Sequence, residues 1–345
     1  MKLINTIIMA IAAASSINSQ SINIQRSELQ EIDSDQISSN NSLRLTKRNA
    51  DNGTLSPVQG LNISAFINGT QVNRDSVLEW EARRIQIVVN KMKHKVPTWL
   101  FEEIVDLTLR PETSIENITQ ERQALADAKI RSGNFVMRQL NAPQLAISSI
   151  IMMVAASISK SWAISEIHLV SNKGTAEGFA KWYTSKVQEN DELAMLIACP
   201  DHYLLGKAFA DGQEVIETTG GAILSSHFGI NYNNSANLPI DKDPEYPVYF
   251  NGAAFNDFGM VVGGTNHQLR TLKEGFEIHP KIFFPSALPS FMISEHRWHL
   301  ACEFSNWITG TSRKQKRKKR RLESRYRYVS SNFVQYITFE FLKNC

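Results

Sequence analysis

The spacing of apolar residues changes along the chain and predicts helices first and strands later. Between residues 75 and 140, apolar side chains recur at helical intervals, and Pro97 and Pro111 interrupt the pattern. We therefore expect a helical region over 75–140 with three helices, the second of them over residues 98–109.

Residues 139–159 contain no charged side chain, and a stretch of that length is enough to span a bilayer. Seven Gln, Asn and Ser residues interrupt it, which leaves an unbroken apolar run only from Ile150 to Ala156. We therefore predict no transmembrane span. We expect instead a buried helix over about 145–170, followed by a second helix over 175–190.

After residue 192, short apolar runs alternate with turn signals. The runs are LAMLIAC, HYLLGKAFA, QEVIETT, AILSSHFGINY, PVYFNGAAF, GMVVGGTNHQL and FEIHPKIFF. They predict an antiparallel meander of about seven strands. A long helix over Ser286–Ile308 follows. The fold class is therefore α+β, and a curved sheet that grips a long helix, often around an apolar cavity, is one architecture of this kind.

The N-terminus has the three parts of a secretory signal peptide. Lys2 provides the positive charge, residues 3–14 are mostly apolar, and small residues follow. The next stretch is rich in Ser, Asn, Gln and Asp, so it lacks the apolar surface that would offset the entropy of ordering. We predict a signal peptide over 1–19, a disordered leader over 20–74 and an α+β domain over 141–309.

The charge of the chain is concentrated at its C-terminus. Residues 310–345 hold 11 Lys and Arg and two acidic residues, a net charge of +9, whereas the remaining residues hold 26 basic and 32 acidic side chains, a net charge of −6. Such a run repels itself and is predicted to be a disordered basic tail. Its core resembles a nuclear-import signal and comprises Lys316, Arg317, Lys318, Lys319, Arg320 and Arg321.

Within the leader, a short motif gives the chain a resemblance to a known family. A signal peptide, a polar stretch and Asn41-Ser42-Leu43-Arg44 resemble the leader of oomycete secreted effectors of the RxLR type, in which this element accompanies delivery into the host plant cell. The first position is Asn41 where the family has Arg. Two other interpretations of this stretch are a propeptide that is cut after Lys47-Arg48 and a simple linker.

The glycosylation sequons support secretion, and the low cysteine content agrees with a protein that enters another cell rather than one that persists outside cells. Three Cys in 345 residues cannot form a disulfide framework, and Cys199 and Cys302 lie in apolar contexts that predict core thiols. Six Asn-x-Ser/Thr sequons predict an accessible glycoprotein in the secretory pathway; they are Asn40, Asn52, Asn62, Asn68, Asn117 and Asn233.

Two sets of residues are candidates for chemistry. His296, His299 and Glu303 are spaced to share one face of the C-terminal helix, and two imidazoles with a carboxylate are able to bind zinc or non-haem iron. No further ligand is identifiable in the sequence. A polar stripe packed on the sheet is therefore the preferred interpretation, and we predict neither a metal nor a cofactor.

The second set consists of histidines in the predicted strands. His202, His227 and His267 would be able to perform acid–base chemistry if their strands brought them into one pocket, and otherwise they are half-buried structural residues. The sequence lacks the Gly-x-Ser-x-Gly, Walker A, His-Glu-x-x-His and Gly-x-Gly-x-x-Gly motifs. A binding protein is therefore favoured over an enzyme.

The two ends of the chain together suggest a function. An exported protein has no use for an import signal in its own cell, but it has one inside another cell. The resemblance thus implies a secreted effector that enters host plant cells, reaches the cytoplasm or nucleus, and modulates defence or cell death by binding host proteins. An import receptor is a partner expected for the tail, and the acidic body makes nucleic acid an unlikely partner. The alternative is a secreted enzyme or small-ligand-binding protein with a pocket in the α+β domain.

Overall fold

Ten strands among the described residues form one antiparallel sheet, and five helices accompany it. The computed structural model describes residues 60–93, 96, 117–208, 212–222, 224–232, 234–236 and 238–312. The strands are β1 (Ile63–Ile67), β2 (Thr70–Val72), β3 (Trp162–Ser171), β4 (His202–Lys207), β5 (Gly212–Glu217), β6 (Ser226–Asn231), β7 (Val248–Phe255), β8 (Val261–Thr271), β9 (Phe276–His279) and β10 (Lys281–Pro285). The helices are α1 (Arg74–Lys93), α2 (Ile118–Ile158), α3 (Ala176–Gln188), α4 (Glu192–Leu196) and α5 (Ser290–Ser312).

The strand order confirms the predicted α+β class and the meander. The sheet runs β2-β1-β3-β10-β8-β7-β6-β5-β4, and β9 pairs with both β3 and β8. Seven strands, β4 to β10, fall in the segment for which about seven were predicted. The long C-terminal helix also forms, although it occupies Ser290–Ser312 rather than Ser286–Ile308.

Two of the predicted strand segments behave differently from the prediction. LAMLIAC is wrong as a strand, because Asp191 accepts a hydrogen bond from the Ala194 backbone N–H at 3.2 Å and caps α4. FEIHPKIFF forms two strands instead of one, because Pro280 has no N–H to donate to the ladder.

The predicted leader extends too far towards the domain. Disorder through residue 74 is wrong for residues 60–74, where β1 and β2 form a hairpin and β1 pairs with β3. Asn68 and Gly69 connect the two strands with φ values of 53° and 74°, the left-handed pair that a tight hairpin turn requires. An Asn-Gly pair between apolar runs is the sequence signal for this turn.

The predicted helix over 145–170 is wrong beyond residue 158, where α2 ends. Residues 162–171 form β3, in which Ser165, Ile167, Leu169 and Ser171 are buried and the residues between them are not. This period of two is that of a strand. Helix α2 also crosses the predicted domain boundary at residue 140, and its helical geometry is interrupted at Gly133.

The apolar half of α2 is less buried than predicted. Ile147, Ile150 and Ile158 are 52%, 45% and 55% exposed, so the interpretation of a buried helix is wrong for these residues. Among the described residues, one helix, α2, is sufficiently long and apolar to cross a membrane by length and composition. Of its most apolar window, 17% is buried. The absence of a transmembrane span remains a prediction.

The C-terminal helix is buried because other elements surround it. Leu300, Phe304 and Ile308 of α5 belong to the main apolar core, together with residues of the sheet and of α3. A short 3-10 helix, Thr219–Gly221, also packs on α5. A Cβ on Gly220 would lie 2.4 Å from the Met292 carbonyl oxygen, so only glycine permits this approach.

Several predictions fall outside the described residues. These are the signal peptide over 1–19, the Asn41-Ser42-Leu43-Arg44 motif, the helix over 98–109 and the basic run over 316–321. All described residues belong to one compact unit, Ser56–Cys345.

Candidate functional site

A cavity of about 80 Å³ lies between α5 and the sheet. One water molecule needs about 10–15 Å³, so this cavity has room for a few waters or for a small polar molecule. Much of its wall is apolar or aromatic, and the residues of this part include Leu205, Val215, Phe228, Ile230, Ala254, Val262, Phe283 and Trp307.

Four ionisable side chains at or beside the wall come from two strands and one helix. His202 begins β4 and is the direct cross-strand partner of Glu217, the last residue of β5. Opposite partners in an antiparallel pair project from the same face of the sheet. Helix α5 adds His299 and Glu303, which lie four residues apart and therefore share a helix face.

These four side chains meet at short distances. Nε2 of His202 lies 3.1 Å from Nε2 of His299 and 3.3 Å from Oε1 of Glu303. Oε2 of Glu217 lies 3.7 Å from Nε2 of His202 and 3.9 Å from Nε2 of His299. We call His202, His299, Glu217 and Glu303 the His–Glu cluster.

The outward ring nitrogens of the cluster also have partners. Nδ1 of His202 lies 3.3 Å from the Met195 carbonyl oxygen, which can only accept, so the proton of this ring is on Nδ1. Nε2 of His202 therefore carries no proton, and its lone pair faces the cluster. Nδ1 of His299 lies 3.7 Å from the Cys199 thiol. Cys199 and Cys302 are buried free thiols, as predicted.

Burial keeps the His–Glu cluster close to neutral. It lowers the pKa of His202 to about 3 and that of His299 well below its ordinary value, and neighbouring histidines add to the second shift. Burial also raises the pKa of Glu217 to about 7, and burial together with Glu217 raises the pKa of Glu303. Near pH 7 the Glu303 carboxyl thus holds its proton, Glu217 is only partly protonated, and the imidazoles lack protons, because burial disfavours the charged form of each group.

Two further histidines line the same cavity. His296 stacks on His299 with ring centroids 5.1 Å apart, and its Nδ1 lies 3.1 Å from the Ser165 hydroxyl. His267 is buried, and its Nδ1 has no hydrogen-bond partner among the described residues. Burial lowers the pKa of both imidazoles to about 3.

A groove on the outside of the domain shares a wall with the cavity. Tyr183 and Tyr232 line both spaces, and Tyr249 and Phe250 line the groove only. The Tyr232 hydroxyl donates to Oε1 of Gln213 at 2.9 Å and lies 3.1 Å from the Tyr183 hydroxyl. This pair of tyrosines separates the groove from the cavity.

The structure joins two sets of candidates that the sequence kept apart. His267 lines the cavity with His296, His299 and Glu303, and His202 contacts two of these residues, whereas His227 does neither. His227 bonds to Glu214 at 2.7 Å and to Asp257 at 2.8 Å away from the cavity. Glu217 is the residue that the sequence reasoning missed, and its only signal was its place at the end of a predicted strand.

Three of the predicted glycosylation sites lie among the described residues. Asn62 and Asn68 are exposed and Asn117 is half-buried. Asn40, Asn52 and Asn233 lie outside the described ranges. Glycosylation at any of these positions remains a prediction.

Comparison with known proteins gives no family. No protein-family profile matches the chain, and no curated protein matches it. Among solved structures, it is similar to the one titled "Crystal structure of Ara h 8.0201", with a TM-score of 0.28 and 14% sequence identity. That match covers 44% of this chain and 98% of the other. A similarity at this TM-score supports no conclusion about function.

Proposed function

We propose that the α+β domain is a small-ligand-binding protein whose site is the cavity between α5 and the sheet. The observation that carries this proposal is the set of ionisable side chains around the cavity. His202, His267, His296, His299, Glu217 and Glu303 all line or border it and are buried or nearly so. Burying so many ionisable groups costs stability, because each loses its hydration and is held in its neutral form.

Folding alone gives no reason for this arrangement. An apolar core of the same volume would be equally well packed and would avoid the desolvation cost. A ligand that offers donors and acceptors would recover part of that cost, as is typical of pockets with an apolar wall and a few convergent polar groups.

Filling the cavity is expected to abolish ligand retention. Ala254 lines the cavity, so Ala254→Leu places three more carbon atoms inside it. The full chain is expressed in plant leaf cells, and the mass under native conditions is compared with the mass after denaturation. We expect wild type to show a higher native mass, and Ala254→Leu to show none of that increase.

Ala287→Leu is the matched control, because Ala287 is exposed and lies outside the cavity wall. It should retain the added mass. Equal native and denatured masses for wild type, or the same increase in Ala254→Leu, would argue against a ligand in this cavity.

We also propose that the whole chain is a secreted effector that acts inside host plant cells. The signal-like N-terminus, the Asn41-Ser42-Leu43-Arg44 motif and the eight cations in residues 313–321 support this proposal. The host proteins it would bind, and an import receptor for the basic run, are part of the same proposal.

Neutralising the basic run is expected to move the protein out of the nucleus. We express a fluorescent fusion without residues 1–19 in leaf cells, and the fusion is larger than the passive limit of the nuclear pore. One version keeps residues 316–321, and the other has all six of these cations changed to Ala. We expect nuclear signal for the intact fusion and cytoplasmic signal for the variant. The double variant Arg325→Ala, Arg327→Ala lies outside the run and should stay nuclear. If the two fusions have the same distribution, the run is not an import signal.

A further inference from the structure

The His–Glu cluster has the geometry of a metal-binding site. Zinc bonded to nitrogen and oxygen at about 2.0–2.1 Å in a tetrahedron requires its ligand atoms to lie about 3.3–3.4 Å apart. Four pairs of atoms in the cluster lie 3.1, 3.3, 3.7 and 3.9 Å apart. The contacts of Nε2 of His202 with His299 and Glu303 are close to the required separation, and Oε2 of Glu217 would move inward by a few tenths of an ångström to reach it.

The outer contacts are those that metal-binding side chains make. A ligating histidine ordinarily donates its second ring N–H to a carbonyl or another acceptor, which fixes the ring and its tautomer. His202 donates from Nδ1 to the Met195 carbonyl oxygen, and Nδ1 of His299 faces the Cys199 sulfur. Glu217 accepts a hydrogen bond on Oε1 from the Thr219 hydroxyl at 3.1 Å, which leaves Oε2 directed to the cluster.

The charge of the cluster fits a divalent cation. Two carboxylates and two neutral imidazoles around one such ion have no net charge, and buried charges are stable when they coordinate a metal. Among the described residues that line the cavity there is no Lys or Arg to serve as an alternative counter-charge.

The geometry also excludes Cys199 from the ligand set. Cys199, His202 and His299 have ligand atoms within 4.8 Å of one another, and so do Glu217, His296 and His299. However, Cys199 approaches Nδ1 of His299 whereas His202 approaches Nε2, and one ring gives one nitrogen to a given ion. Cys199 is therefore an outer contact of His299.

We propose that the His–Glu cluster binds one Zn²⁺ through Nε2 of His202, Nε2 of His299, Oε2 of Glu217 and Oε1 of Glu303. This inference rests on the proposed function, because it names the first occupant of that cavity. Imidazole and carboxylate ligands in a tetrahedral site are typical of zinc.

Titration with zinc tests the proposal on the full chain. Chelator-treated protein is titrated with Zn²⁺ by isothermal calorimetry, and Co²⁺ serves as a spectroscopic probe because tetrahedral Co²⁺ has intense visible absorption. We expect one Zn²⁺ per chain and a tetrahedral Co²⁺ spectrum. His299→Gln should weaken zinc binding by more than the roughly 10–100-fold that a lost outer contact costs.

Two more variants keep the test decisive. His267→Gln is the matched control, because His267 lines the same cavity but is outside the cluster, and it should bind Zn²⁺ like wild type. Glu303→Gln keeps the size of the side chain and is the second variant. If His299→Gln fails to fold, a changed Co²⁺ spectrum in folded Glu303→Gln still supports the site. No zinc binding by wild type, or equal affinity in wild type, His299→Gln and Glu303→Gln, would overturn the proposal.

The outcome is separable from that of the proposed function. If the wild-type chain retains an organic molecule but binds no Zn²⁺, the zinc proposal is wrong and the proposal of a ligand-binding cavity stands. Zinc binding without any retained organic molecule would establish the metal as the ligand.

Discussion

Glu81→Leu is expected to lower the free energy of unfolding by about 3–5 kcal/mol, the usual cost of removing one partner from a buried ion pair. Glu81 is fully buried on α1 and accepts hydrogen bonds from Nε of Arg122 and, at 2.7 Å, from its Nη2. It also accepts from the Asn306 side chain at 3.3 Å. The substitution leaves the Arg122 guanidinium buried without its counter-charge.

The effect is expected to reach the site because this carboxylate joins three helices. Arg122 lies near the start of α2, and Asn306 lies on α5, the helix that carries His299 and Glu303. Loss of the Glu81 carboxylate also removes its hydrogen bond with Asn306, one connection that holds α5 against α1. Urea denaturation followed by tryptophan fluorescence gives the free energy.

A double variant separates the ion pair from simple packing. Glu81→Leu combined with Arg122→Met removes both charges, so it should recover most of the stability that Glu81→Leu loses. If the double variant is as unstable as the single one, or if Glu81→Leu costs less than about 1 kcal/mol, the pair does not have the role assigned to it.

The meander was predictable because its signal is local. Each strand from β4 to β8 is a short apolar run ended by turn residues, and neighbours in sequence pair in the sheet. Strand β3 was not predictable in the same way. Two of its four inward residues are Ser165 and Ser171, so its period of two is weak in hydrophobicity although it is clear in burial.

The candidate site was predictable only in part, for a related reason. His296, His299 and Glu303 share a helix face, which helical spacing alone reveals. Their partners depend on long-range structure. Glu217 joins the cluster because β4 and β5 pair in a register that sets it opposite His202, and no local pattern gives that register. The sequence therefore showed part of a ligand set and not the rest.

A buried carboxylate beside the cluster is expected to have the second large effect on stability. Asp201 precedes His202, is fully buried, and binds Arg84 through contacts of 2.7, 2.8 and 3.0 Å. The Lys129 ammonium donates to the carbonyl oxygens of Pro200 and His202, each at 2.6 Å. The side chains of Arg84 and Lys129 thus hold the start of β4, the segment that positions His202.

Asp201→Asn should therefore lower the free energy of unfolding by about 3–5 kcal/mol, because it leaves the largely buried Arg84 guanidinium without its carboxylate. Zinc affinity in the folded fraction should fall as well, since His202 loses its anchored neighbour.

Glu245→Gln is the matched control. The Glu245 side chain is 71% exposed and pairs with Arg270, so the change should cost less than about 1 kcal/mol and leave zinc binding unaltered. Denaturation curves and zinc titrations of the two variants measure both effects. If Asp201→Asn is no less stable than Glu245→Gln, the carboxylate does not hold the start of β4. If its stability falls while zinc affinity stays at the wild-type value, the anchoring of β4 supports the fold and not the site.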